Sequence, residues 1–124
     1  MSRILLADDD AVQLDLHKQI LEIAGYQVET ALTASRTVRC IEKAPPDLTI
    51  MDLRFPNALG ESDPREGMAL IRRIRHLGYR APVIVLSGWP ADLYGQPEER
   101  LVSCILLKPV SIRELLHAIR GLLA

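Results

Sequence analysis

The chain has 124 residues, with 15 Lys and Arg against 16 Asp and Glu and a formal net charge of −1. At this length folding buries roughly two-thirds of the unfolded surface, enough for one domain with an ordinary core and no stapling disulfide or metal. Balanced charge gives no footprint for direct nucleic-acid binding or for an anionic membrane, and the opening MSRILLADDD is neither a signal-peptide core nor a bilayer span, so a cytoplasmic protein is expected.

The first apolar run, Arg3–Ala7, predicts a strand and leads straight into Asp8, Asp9 and Asp10. Asp10 is expected to cap a helix over Ala11–Ala24, with Gln13 in the capping-box position, Val12, Leu16, Ile20 and Ile23 as the core-facing stripe, and Gly25 as its end. A second strand is expected at Gln27–Ala31 and a second helix at Ser35–Lys43, stopped by Pro45-Pro46. Leu48–Met51 is a continuous apolar strand, and Asp52 stands where it ends. An unpaired buried carboxylate is costly, so that position needs water, a partner or a chemical task.

Gly67–Leu77 carries Leu70, Ile71, Ile74 and Leu77 at helical spacing and ends at Gly78. Arg72, Arg73, Arg75 and His76 lie opposite that stripe and read as a solvated helix face. Val83–Leu86 is the fourth strand, ended by Ser87. The segment WPADLYGQPEER then places Pro90, Gly95 and Pro97 where a fourth helix should form, so that helix is expected to be short or irregular, as little as Glu98–Ser103. Cys104–Leu107 is the fifth strand, ended by Lys108, and Ser111 caps a last helix over Ser111–Leu123 with Glu114 three residues on. Its apolar stripe is Ile112, Leu115, Leu116, Ile119 and Leu122. Cys40 and Cys104 fit no disulfide or metal spacing and read as small buried hydrophobes, while His17 and His117 read as surface or helix-face residues.

Strands alternating with helices imply an α/β fold, a doubly wound five-stranded parallel sheet flanked by about five helices, in one unit spanning residues 1–124. Ligands of such sheets bind beyond the carboxyl ends of the strands, where Asp8, Asp9, Asp52, Ser87 and Lys108 all fall. Three clustered carboxylates repel unless a hard divalent cation such as Mg²⁺ lies between them, and a lysine and a hydroxyl facing that cation make a slot for a phosphoryl group.

The stretches ILLADDD, TIMDLRFP, VIVLSG and ILLKP, in this order and at successive strand ends, resemble the receiver domains of two-component response regulators over Arg3–Leu123. The resemblance implies the flavodoxin-like strand order 2-1-3-4-5 and Asp52 as phosphoacceptor. It implies Asp9, Asp52 and the backbone carbonyl of Arg54 as Mg²⁺ ligands, with Asp8 reaching the metal through water. It implies that Lys108 pairs with one phosphoryl oxygen, that Ser87 hydrogen-bonds another, and that the Lys108–Pro109 peptide bond is cis. The domain it describes is a signalling unit and not an enzyme in the ordinary sense, with slow autodephosphorylation only. Its implied partners are a sensor histidine kinase or histidine phosphotransferase, a downstream protein or output domain, and a homodimer partner.

Several positions depart from that pattern. Gly60 stands about eight residues after Asp52, where the third helix of receivers opens, yet the helical pattern starts at Gly67, so an insertion of about seven residues is expected within Asn57–Glu66. Ile105 and Val110 occupy positions where receivers usually carry aromatic residues. These departures keep open an alternative, a receiver-like interaction module that works without phosphorylation. A haloacid-dehalogenase-like phosphatase would need a second Asp where Arg54 stands, and Asp8–Asp10 would repel a nucleotide in a flavodoxin-like site. Arg54 and Trp89 are large residues at positions that flank the phosphoryl group in receivers, and stacking of guanidinium on indole is expected to form a partial lid.

Overall fold

A computed structural model describes residues 1–124. In chain order its elements are β1 (Arg3–Ala7), α1 (Ala11–Ile23), β2 (Gln27–Ala31), α2 (Ala34–Lys43), β3 (Leu48–Asp52), β4 (Phe55–Pro56), β5 (Ser62–Asp63), α3 (Pro64–His76), β6 (Val83–Ser87), β7 (Cys104–Leu107) and α4 (Ile112–Leu123). The order β2-β1-β3-β6-β7 makes one parallel sheet, which is 2-1-3-4-5 once the small antiparallel β4–β5 hairpin is set aside.

Continuous apolar runs make the central strands because both of their faces are covered. On one face, Leu5, Met51 and Val85 pack under Val38 and Ile41 of α2 and Leu70, Ile71 and Ile74 of α3. On the other, Leu6, Ile50 and Ile84 pack under Leu14 and Leu21 of α1 and Leu115 and Ile119 of α4. The edge strand β2 is largely exposed. No helix is long and apolar enough to cross a membrane.

Two expectations need correction. The α1 stripe is rotated: Val12 and Ile23 are 77% and 87% exposed, Leu16 is also exposed, and Leu14 and Leu21 face the sheet instead. The rotation follows from the cap, since the Asp10 carboxylate accepts from the amides of Val12 and Gln13 while the Asp8 carboxylate holds the Asp10 amide. The fourth helix is irregular, as expected: two 3-10 turns, Pro90–Asp92 and Pro97–Leu101, stand between β6 and β7 beside four α-helices. Proline opens each turn, in line with the sequence's reason for doubting a regular helix.

The second correction concerns Asn57–Glu66, which is not simply a loop. It contains β5, an Asn57-centred turn and the first residues of α3, which starts at Pro64 with Asp63 as its cap. Gly67 lies inside α3, and a Cβ there would run into the Leu53 backbone carbonyl. The helix therefore crosses close over the exit of β3 only because this position has no side chain.

Candidate functional site

Parallel register brings the strand ends level. Ala7 pairs with Met51, Asp52 with Leu86, and Ser87 with Leu107, so Asp8, Asp52, Ser87 and Lys108 emerge along one edge of the sheet. The Lys108 amide donates to the Ser87 carbonyl at 2.9 Å, and the Lys108–Pro109 peptide bond is cis. Carboxylate oxygens of Asp8, Asp9 and Asp52 lie within 4.8 Å of one another.

Lys108 Nζ donates to Oδ2 of Asp8 at 2.9 Å and to Oδ2 of Asp52 at 3.0 Å. Burial works against its charge, but the hydrogen bonds and fields of Asp8 and Asp52 outweigh that and hold the ammonium above its ordinary pKa. Oδ1 of Asp52 accepts from the amides of Leu53 at 2.7 Å and Arg54 at 3.3 Å, leaving Oδ2 as the edge that faces the lysine. Asp9 makes no such ion pair; burial, then the neighbouring Asp8, raise its pKa. One ammonium among three carboxylates leaves an excess of negative charge, and the donors are all hard oxygens. That set fits Mg²⁺.

Ser87 is buried, and its Oγ accepts from the Trp89 amide at 3.0 Å, which leaves its hydroxyl proton to donate elsewhere. The Arg54 guanidinium makes no ion pair with Asp8, Asp9 or Asp52; it lies 4.0 Å from the Trp89 ring centroid, with Nε donating to Asp92 at 2.9 Å. The expected stacking is therefore present, with a carboxylate that sequence reading did not single out.

His17, read from sequence as a surface or helix-face residue, is half-buried. From α1 it borders the cleft formed with Asp8 and Asp52, and burial, then the Lys108 charge, lower its pKa. Its spacing from Leu14 and Leu21 was the available signal, hidden by the choice of the other stripe. Asp10 acts as a helix cap, as expected. Cys40 and Cys104 are half-buried and burial raises both thiols, away from a reactive thiolate. Arg72 and Arg75 are more than solvated charges: Arg72 pairs with buried Glu98 at 2.8 Å, and Arg75 donates to the carbonyls of Leu101, Tyr79 and Ala81.

A profile of the family described as "Response regulator receiver domain" matches residues 4–120. The chain is 30% identical over 131 residues to the DNA-binding dual master transcriptional regulator RpaA of Synechocystis, covering 99% of this chain and 49% of that protein. It spans about half the length of the first curated relatives it matches. Among solved structures, a response regulator receiver domain protein from Clostridium thermocellum superposes with a TM-score of 0.85 at 26% identity, covering 99% of this chain and 94% of that one. The response regulator TrrA of Thermotoga maritima, solved in complex with Mg²⁺-BeF, shares the fold with a TM-score of 0.84 at 23% identity, covering 98% of this chain and 99% of that one.

Proposed function

Because the chain belongs to the response regulator receiver domain family of two-component systems, we propose that residues 1–124 act as one cytoplasmic receiver unit that accepts a phosphoryl group on Asp52 from a histidine kinase or histidine phosphotransferase. The observation that carries this reading is Lys108 Nζ held between Asp8 and Asp52, with Asp9 completing the acidic cluster. An apolar strand that ends in a part-buried carboxylate tied to a lysine and two amides keeps that carboxylate placed to attack an incoming phosphorus.

In the transfer, Oδ2 of Asp52 forms the new P–O bond as the P–N bond of the donor phosphohistidine breaks, and the electron pair returns to the imidazole nitrogen. Lys108 neutralises charge on a transferring oxygen, and the Ser87 hydroxyl donates to another. Asp9, Asp52 and the Arg54 backbone carbonyl would hold Mg²⁺, with Asp8 assisting through water, and the bound cation would supply charge neutralisation on the transferring phosphoryl. The acyl phosphate then biases the Ser87 loop and the surface presented to a downstream protein or output domain, or to a second copy of the chain.

Incubation with acetyl phosphate tests the metal requirement. Labelling is expected with Mg²⁺ and lost in excess chelator; equal labelling in both contradicts the site. The two 3-10 turns in place of a regular helix favour one other reading, an interaction module that needs no phosphorylation, and that reading predicts no labelling under either condition.

A further inference from the structure

The Pro90–Asp92 turn builds something that the receiver reading does not require. Trp89 caps this turn, and the Asp92 amide bonds back to the Trp89 carbonyl, closing a tight turn that keeps the indole and the carboxylate near one another. Pro90 fixes the first position, and fully buried Leu93 anchors the far end in the core. Arg54 enters the space between them: its guanidinium lies over the ring, while its Nε donates to Asp92 and both charged side chains are largely shielded from solvent. Trp89 is otherwise 58% exposed, an unusual place for an indole unless the cation is its partner.

Arg54 itself is tied by its amide to Oδ1 of Asp52. Its backbone belongs to the acidic site while its side chain is pulled out to the rim. A long flexible cation beside three carboxylates has two resting places, among them or away from them, and the Asp92 ion pair selects the second. We propose that Asp92 is a positioning residue: by holding the Arg54 guanidinium over Trp89 it closes one side of the Asp52 site and restricts the water that hydrolyses phospho-Asp52. The inference rests on the proposed phosphoacceptor role of Asp52.

The test compares the full chain with Asp92→Asn, Asp92→Glu, Arg54→Ala and the Asp92→Asn/Arg54→Ala double variant, each labelled by acetyl phosphate with Mg²⁺ and followed by intact mass. Asp92→Asn should shorten the lifetime of the acyl phosphate by about two- to fivefold, the scale set by loss of one guanidinium–indole contact. Asp92→Glu should restore most of it, and Asp92→Asn should add nothing on the Arg54→Ala background. In unphosphorylated protein, acrylamide should quench Trp89 more strongly in Asp92→Asn than in wild type. A lifetime in Asp92→Asn equal to or longer than wild type, or an effect that persists without Arg54, overturns the positioning role. If wild type takes no phosphoryl group, the Asp52 reading fails and the hydrolysis claim with it, while the quenching arm still shows whether Asp92 holds the clasp.

Discussion

Asp63 keeps its charge far into acid. Arg65 hydrogen-bonds its carboxylate through the guanidinium and through its own backbone amide, and Asn57 adds a third contact, so its pKa is held well below the usual carboxylate range. A depressed carboxyl stabilises the fold above its unfolded pKa of about 4, and that contribution fades as pH falls towards the folded value. Asp63→Asn should therefore lower the urea midpoint at neutral pH, with the gap to wild type narrowing below about pH 4. A gap that stays constant into acid contradicts the pairing. At the site, Asp52, Lys108, Asp8, Asp9 and Ser87 were legible because each interrupts an apolar run at a strand end. Asp92 and His17 were not: an irregular segment has no period to say which side chains face the site, and His17 lies on the α1 face with fewer apolar residues. A residue-scale consequence is spectroscopic. Trp89, the single tryptophan, lies at the site's rim, so its emission should change when Mg²⁺ is added; an unchanged spectrum would separate the indole from the acidic cluster.

Among the elements, α1 shows how a correct helix can be turned the wrong way. Its sequence offers two stripes, Val12–Leu16–Ile20–Ile23 and Leu14–His17–Leu21, and the first has more apolar residues. The hydrophobic pattern alone favours it, yet the Asp8–Asp10 hydrogen bonds fix where the helix begins and so which side meets the sheet. The hairpin and the start of α3 were hidden for another reason: two-residue strands carry no periodic signal. Position 67 was legible as a glycine but not its purpose. Gly67→Ala should destabilise the protein by about 1–3 kcal/mol in urea denaturation, the range for overpacking against a rigid neighbour. Gly121 in α4 faces open space, so Gly121→Ala should instead be neutral or stabilise by up to about 1 kcal/mol. Equal effects at the two positions would contradict the close approach of α3 to Leu53.

For the molecule as a whole, the alternation of strands and helices made the parallel sheet readable, while the strand order came from the resemblance and is the order observed. The two apolar layers share the same central strands: Met51 and Val85 serve one, Ile50 and Ile84 the other. Losing either layer unseats the sheet that supports both, so unfolding should be a single transition with coincident midpoints by far-UV circular dichroism and Trp89 fluorescence. Separated midpoints would mean that the Trp89 rim melts apart from the sheet. The same sheet holds level the ends of strands far apart in sequence, and Asp8, Asp52 and Lys108 meet only there. The central claim is that this meeting makes Asp52 the phosphoacceptor. Intact-mass analysis after acetyl phosphate and Mg²⁺ treatment tests it most directly: one phosphoryl group is expected on wild type and none on Asp52→Asn, whereas efficient labelling of Asp52→Asn at another residue would contradict the account.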